Sequence, residues 1–121
     1  MKLIDTNILI YSAQAAFAYL RPLISDPAHC VSAFTQLEVL GYPQLKPVDG
    51  VYFDAAFQLL NVLPIDAAVI GQAILLRPAR RMSAGDAIIA ATALLHGLEL
   101  QTRNLKDFSH IPGLALHNPV G

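Results

Sequence analysis

Four acidic residues stand where a carboxylate could serve chemistry: Asp5, Glu38, Asp86 and Asp107. Asp5 follows two apolar residues in the stretch KLIDTNILI, a pattern typical of a short buried strand that ends in an acid. Carboxylates that lie close together repel each other unless protons or cations neutralise them. Hard divalent cations prefer oxygen ligands, so a cluster of these acids would suit Mg²⁺.

Asp5, Asp86 and Asp107 also have structural explanations that are sufficient when each residue is taken alone, whereas Glu38 lies on an apolar helical stripe that does not explain it. Asp5 or Asn7 would cap a helix, because Asp and Asn side chains accept hydrogen bonds from the N–H groups of a first turn. Ser83 and Asp86 resemble a capping box, with Asp in place of the usual Glu. The joint placement of the acids therefore has to decide between a structural and a chemical role.

Alternating strands and helices are predicted along the chain. Strands are expected at KLI before Asp5 and over 28–32, 61–65, 98–102 and 114–117. Helices are expected over 8–23, from 33 onward with Glu38 on its apolar face, over 54–60, 66–76 and 83–96, with a loop over 42–50. This alternation predicts a mostly parallel sheet with helices on both faces, and in such a sheet all four acids would lie near the carboxyl edge, where ligands bind.

Composition is consistent with a single domain over residues 1–121. Hydrophobic residues make up 55% of the chain and charged residues 14%, with a mean hydropathy of +0.48, so an apolar surface for another subunit is expected. No apolar run is long enough for a membrane span, and no signal peptide is recognisable at the N-terminus. A single cysteine, Cys30, is compatible with a reducing cytoplasm.

Charge gives no global sign of nucleic-acid binding, because the net charge is −1 and the pI about 6.4. Small nucleases can instead hold phosphate through metal ions and a few local cations. Two small basic groups flank the third and fourth acids, and they comprise Arg77, Arg80 and Arg81, and Arg103 and Lys106. These cations could grip an RNA backbone or simply be solvated loop charges, and both interpretations stay open.

Several other chemistries lack their motifs. The four histidines are scattered, with no HExxH and no Cys/His pairing, which argues against zinc and favours surface or loop positions. Nucleophile elbow, Walker and dinucleotide-binding sequences do not occur. A phosphatase with Asp5 as nucleophile would need a second acid at the position of Asn7.

Five segments together resemble one known family. They are DTNILI at Asp5, SAFTQLE ending in Glu38, SAGDAIIAATAL with Asp86, TRNLKDF near the end, and a closing Asn118–Pro119. The set spans essentially the whole chain in the right order and resembles the PIN domain, specifically the VapC-type toxins of bacterial toxin–antitoxin pairs.

The resemblance implies a three-layer α/β/α fold with a central, mostly parallel sheet of about five strands. It also implies a Mg²⁺- or Mn²⁺-dependent endoribonuclease that pairs as a homodimer and is neutralised by a cognate antitoxin. Asp5, Glu38 and Asp86 match the family's metal-binding acids, with Glu38 as a ligand or an orienting base. The fourth catalytic acid falls at Asn104 in some members and at Asp107 in others, and both positions stay open.

Two functions are compatible with these residues and with the resemblance. The first is RNA cleavage by a metal-activated water, with Thr6 and Thr102, which match hydroxyl positions near the family's site, orienting ligands or water. The second is a catalytically weak PIN-like binding or assembly module whose acids are structural caps. Asn104, which brings no charge to the fourth position, favours the second function, whereas the three acids matched to metal binding favour the first.

Overall fold

A computed structural model describes residues 1–79 and 81–121. Within these residues, five strands form one sheet with only parallel pairings, and they are β1 (Lys2–Ile4), β2 (Cys30–Ser32), β3 (Asn61–Leu63), β4 (Glu99–Gln101) and β5 (Leu116–His117). The spatial order is β3-β2-β1-β4-β5, so β1 is central. The prediction of a mostly parallel sheet of about five strands is confirmed, although four strands are shorter than expected.

The helices are α1 (Thr6–Ser12), α2 (Arg21–Ile24), α3 (Ala33–Leu40), α4 (Pro47–Leu59), α5 (Ala67–Leu76), α6 (Ala84–His96) and α7 (Leu105–Phe108). Short 3-10 turns cover Ala15–Leu20 and Arg77–Ala79. Asp66 caps α5, and Gly97 ends α6 in the left-handed conformation, as their sequence signals predict. In the described part of the chain, no helix is both long and apolar enough to cross a membrane.

Two cores lie on opposite faces of the sheet, because successive side chains of a strand point to opposite sides. Ile4 and Val31 face a core with α1 to α4, whereas Leu3 and Cys30 face a core with α6 and α7. α5 packs on the outer side of α6. The expected three-layer α/β/α arrangement is therefore confirmed.

The continuous helix predicted over 8–23 is wrong. α1 ends at Ser12, whose hydroxyl donates to a carbonyl one turn earlier at 2.6 Å and competes with the helical backbone pattern. Arg21 then donates from Nε to the carbonyl of Ser12 at 2.9 Å. The chain therefore folds back at this point through the 3-10 turn Ala15–Leu20.

The loop predicted over 42–50 is also too long. α4 begins at Pro47, because proline has no N–H to satisfy and its fixed φ suits the first position of a helix. Gly50 lies inside this helix, which ends at Leu59. The helix expected over 54–60 is thus the second half of a longer one.

Candidate functional site

Asp5 lies at the carboxyl end of the central strand, where β1 passes into α1. Its N–H donates to the carbonyl of Gln101 at 3.0 Å, which extends the pairing of β1 with β4. One carboxylate oxygen accepts the Thr6 N–H at 2.8 Å and the other accepts the Thr102 hydroxyl at 2.8 Å. Asp5 is 6% exposed. It does cap α1, but this role occupies one carboxylate oxygen and leaves the other for Thr102.

Thr6 connects Glu38 to this end of the sheet. Ser32 caps the first turn of α3, so the helix starts directly after β2 and carries Glu38 on its second turn. The Thr6 hydroxyl donates to a Glu38 carboxylate oxygen at 2.7 Å and lies 3.0 Å from the Thr35 hydroxyl. Glu38 and Asp5 are therefore held through the same turn of α1, although Glu38 is exposed.

Asp86 lies in the first turn of α6, and a neighbouring glycine explains how it reaches the other acids. The Asp86 N–H donates to the Ser83 hydroxyl at 3.0 Å, which is one half of the expected capping box. A Cβ at Gly85 would lie 2.5 Å from a ring carbon of Phe34. α3 and α6 can therefore approach closely only because residue 85 has no side chain, a role that the sequence reading of this segment missed.

Asp107 lies beside Asp86 at a small cavity of about 200 Å³. The cavity is lined by residues of α6, α7 and the segments next to them, namely Arg81, Met82, Asp86, Lys106, Asp107 and His110. Asn104 directly precedes α7, but its side chain makes no capping hydrogen bond. Its N–H donates instead to the Thr102 hydroxyl at 3.0 Å. Thr102 thus links the loop before α7 to Asp5.

Burial raises the pKa of Asp5 to about 6. The hydrogen bonds from Thr102 and Thr6 lower this pKa, but the negative charges of Asp86 and Glu38 raise it again. The environment of Asp5 is therefore unfavourable for the charged carboxylate, in spite of the two hydrogen bonds that it accepts.

The pKa of Asp86 is raised as well. Burial is the main cause, the nearby charges of Asp107 and Glu38 add to it, and the Ser83 hydrogen bond opposes it. Among residues 1–79 and 81–121, none of the four acids forms an ion pair with a lysine or arginine. The fold thus brings Asp5, Glu38 and Asp107 each within electrostatic reach of Asp86, and no ion pair among the described residues compensates their charge.

These acids suit a hard cation by chemistry, but they do not form a finished metal site. Over the described residues, no three His, Cys, Asp or Glu side chains are grouped closely enough to hold a metal ion. Oxygen donors and mutual repulsion nonetheless favour the binding of a divalent cation. Asp5, Glu38 and Asp86 therefore remain predicted ligands that would have to draw closer around the ion.

A large groove of about 660 Å³ is lined in part by Glu38. The sequence did not predict this groove. It runs between α1, α3 and α4, and its lining is mostly apolar, with Ile10, Val39, Tyr42, Leu45 and Phe53. Gln14, Lys46 and Asp49 add polar positions to the lining. Ile10 and Tyr42 are exposed, so apolar surface is left uncovered at this groove.

The two basic groups have different environments. Arg77 donates from Nε to the carbonyl of Met82 at 3.1 Å and so braces the connection before α6. Arg103 lies over the ring of Tyr11, with 5.2 Å between the guanidinium carbon and the ring centroid. Arg80 lies outside the described residues.

The histidines lie apart from one another, as expected. His96 is exposed at the end of α6, and His117 is exposed with Nδ1 2.8 Å from the side-chain oxygen of Gln101. His29 lies before β2 at the opposite edge of the sheet, and His110 lies beside Asp107.

The fold and the site together define a class of protein. It is a parallel α/β/α protein whose acids lie beyond the carboxyl end of its central strand β1, beside the point where the strand order reverses. The model of the PIN domain matches residues 2–114. The chain therefore belongs to the PIN domain family, and the resemblance found in its motifs is confirmed.

Solved structures of toxin–antitoxin complexes share this fold along nearly their whole length. A chain of the toxin–antitoxin complex from Klebsiella pneumoniae is 34% identical, with a TM-score of 0.81 and 98% of each chain covered. FitAcB from Neisseria gonorrhoeae gives 26% identity, a TM-score of 0.78 and 99% of each chain. VapBC2 from Rickettsia felis, bound to a DNA fragment from their promoter, shares the fold at 21% identity, with a TM-score of 0.78 and 97% of each chain. A comparison with curated proteins finds no match.

Proposed function

We propose that residues 1–121 form a single PIN domain that acts as the nuclease toxin of a toxin–antitoxin pair, specifically as a Mg²⁺- or Mn²⁺-dependent endoribonuclease. The main support is the uncompensated charge at the carboxyl edge, above all the buried Asp5 with its pKa raised to about 6. A divalent cation would relieve the repulsion among the acids. The likeness to toxin–antitoxin complexes supports the same conclusion.

In this function, Asp5 and Asp86 hold the metal, and Glu38 serves as a further ligand or as an orienting base. A metal held there would supply activation of a water and stabilisation of charge on the phosphate. The chain contributes orientation: the Thr102 hydroxyl fixes one Asp5 oxygen, and the Thr6 hydroxyl fixes one Glu38 oxygen. The protein needs no nucleophile of its own.

Asp107 is the better candidate for the fourth catalytic acid. Its charge is among the causes that raise the pKa of Asp86, and both residues line the same cavity. Asn104 makes no capping bond and is exposed, so its amide is available but brings no charge. We therefore assign Asp107, rather than Asn104, to the acid cluster.

Two protein partners complete the proposal. A cognate antitoxin would occupy the groove that begins at Glu38 and so close off the site from RNA. A second copy of the chain would cover the outer face of α5, where Ile70, Ile74 and Leu75 are 42%, 63% and 73% exposed. With Cys30 reduced and buried, the cytoplasm is the compartment that fits an RNA substrate.

The test compares RNA cleavage by the purified protein with cleavage by Asp86→Asn, in Mg²⁺, in Mn²⁺ and in EDTA. Asp54→Asn is the matched control, because Asp54 is an exposed acid on α4. We expect cleavage by the wild type and the control in either metal, and neither cleavage by Asp86→Asn nor cleavage in EDTA. Sequencing of RNA ends after controlled expression would then identify the substrate. Equal cleavage by Asp86→Asn, or no cleavage by the wild type, would overturn the proposal.

The second candidate is a PIN-like binding or assembly module with weak catalysis. The observation in its favour is that no preformed group of three metal-binding side chains exists in the described chain. Titration of Mg²⁺ or Mn²⁺ discriminates between the two, because acids that serve only as caps would bind neither ion tightly.

A further inference from the structure

Next to the acid cluster, an arginine and three aromatic rings form a continuous row. The Arg103 guanidinium lies 5.2 Å from the centroid of the Tyr11 ring. The rings of Tyr11 and Phe17 are 5.0 Å apart at 39°, and those of Phe17 and Tyr19 are 6.2 Å apart at 48°. Tyr19 is 56% exposed, and its hydroxyl donates to the carbonyl of Val120 at 2.9 Å. We call Arg103, Tyr11, Phe17 and Tyr19 the aromatic row.

The aromatic row is carried in part by the two segments that hold Asp5, namely helix α1 and the segment after Thr102. Arg103 directly follows Thr102, whose hydroxyl holds both Asp5 and the N–H of Asn104, so the backbone beside Arg103 is fixed to the site. Tyr11 lies on α1, the helix that Asp5 caps, about 9 Å further along the helix axis. A chain that crosses the acids could therefore continue directly onto the row.

Arg103 differs from arginines that have a structural task. Arg77 and Arg21 each donate to backbone carbonyls. In the part of the chain that the structure describes, Arg103 has neither a carboxylate partner nor a hydrogen-bonded carbonyl, and it is exposed. Its contact with Tyr11 holds the flat guanidinium in place but leaves its donors available. A preorganised fork of this kind fits a phosphate.

We propose that the aromatic row is a positioning surface for the RNA strand beside the cleaved bond. Arg103 binds a neighbouring phosphate, and the exposed end of the row at Tyr19 stacks with an unpaired base. Single-stranded nucleic acid is bound in this way elsewhere, through cations that follow the backbone and aromatic side chains that stack with bases. The inference rests on the proposed nuclease function and adds positioning residues to it.

The test measures binding of a short, labelled single-stranded RNA in Mg²⁺ at several salt concentrations. An Asp5→Asn parent is used, so that the RNA is bound without being cut. Arg103→Gln should weaken binding about tenfold and reduce the salt slope by about 0.7, the contribution of one phosphate contact to a single strand. Arg103→Lys should keep the slope, because the charge remains, but bind more weakly because the planar fork is lost.

A second variant tests the aromatic part separately. Tyr19→Leu should weaken binding roughly fivefold or more and leave the salt slope unchanged, because stacking involves no counterion release. Lys2→Gln is the matched control, since Lys2 lies at the amino end of β1, away from the acids, and loses the same charge. Its binding should equal that of the parent.

These outcomes distinguish a failure of the positioning role from a failure of the proposed nuclease function. If the parent binds RNA and Arg103→Gln changes the salt slope no more than Lys2→Gln does, the positioning role is overturned while the proposed nuclease function stands. If Tyr19→Leu binds as the parent does, the stacking role is overturned. If the wild type neither binds nor cleaves RNA in Mg²⁺, the proposed function fails, and the aromatic row fails with it.

Discussion

Polar groups have opposite environments at the amino and carboxyl edges of the sheet. At the amino edge, one Asp26 carboxylate oxygen accepts the Ala28 N–H at 2.9 Å, and the other lies 3.4 Å from His29 Nε2. The Asn61 amide donates to the carbonyls of Pro27 and His29 at 2.8 and 3.2 Å. These contacts join groups of complementary charge or dipole, so they stabilise the fold, although Nδ1 of His29 is buried without a partner.

At the carboxyl edge, like charges meet instead. Asp5 is buried and Asp86 is half-buried, Glu38 and Asp107 lie close to Asp86, and both Asp5 and Asp86 have raised pKa values. Arrangements that oppose stability tend to mark functional sites, because a bound ligand or ion relieves them. The carboxyl edge thus carries repulsion that a cation would relieve, whereas the contacts at the amino edge are mostly complementary.

The largest expected effect is on catalysis. Asp5→Asn should lower kcat/KM for RNA cleavage roughly 100- to 1000-fold or more, because a predicted metal ligand loses its charge. Asn still caps α1, so circular dichroism should show the fold intact. Asp26→Asn, the same change at the amino edge, should stay within about twofold of the wild type. Similar losses in both variants would remove the contrast between the edges.

The next effect is on stability and its pH dependence in metal-free protein. The folded state holds the Asp5 proton more tightly than the unfolded chain does, so stability falls as the pH rises through about 6. Asp5→Asn removes this penalty and should raise the free energy of unfolding near neutral pH by up to about 3 kcal/mol, with no gain below about pH 4. Urea unfolding in EDTA, once near neutral pH and once below about pH 4, measures the difference in the free energy of unfolding between the two proteins.

Magnesium provides the control for this result. Added Mg²⁺ should stabilise the wild type more than Asp5→Asn, because the ion neutralises the same charge that the substitution removes. A wild type that is more stable than Asp5→Asn at neutral pH in EDTA would show that the charge of Asp5 is compensated without metal, which contradicts the comparison.

A smaller effect is expected from the amino edge. Asn61→Ala removes the donors to two carbonyls and should lower the free energy of unfolding by about 1–2 kcal/mol. RNA cleavage at a temperature where the variant is folded should not change. Loss of activity in the folded variant would mean that this edge also serves the site.

The smallest effect concerns His29. Burial lowers its pKa, although the charge of Asp26 opposes this shift. The unfolded chain therefore binds the proton more readily, and stability due to neutral His29 is lost as the pH falls below about 6.5. His29→Gln should make the decrease of the melting temperature between neutral and mildly acidic pH slightly smaller. An unchanged or larger decrease would contradict this.

The strand positions and the acid cluster could be predicted because both depend on local pattern. The short apolar run before Asp5 marks the buried strand β1, and in a parallel sheet the carboxyl ends of the strands meet at one edge. The motifs then decided what the pattern of single residues left open, since Asp5, Asp86 and Asp107 were each also consistent with a cap or a first-turn acid. Asp5 in fact does both, because its second oxygen is bound by Thr102.

The parts that the sequence did not predict depend on contacts between distant residues. The break after α1 involves Arg21 and Ser12, and the sequence pattern alone gave a continuous helix. Pro47 is typical of loops as well as of helix starts. Because it was interpreted as a loop residue, the predicted loop over 42–50 was too long. The groove at Glu38 arises only when three helices pack together, so no single segment carries its signal.

The contact between Gly85 and Phe34 makes two positions genetically dependent on each other. Gly85→Ala alone would push α3 away from α6, since the added carbon overlaps the aromatic ring. A smaller residue at position 34 would make room for it, so Phe34→Leu should act as a second-site suppressor of Gly85→Ala. In related chains, the sizes of the side chains at these two positions should therefore vary together, although the residues lie on different helices.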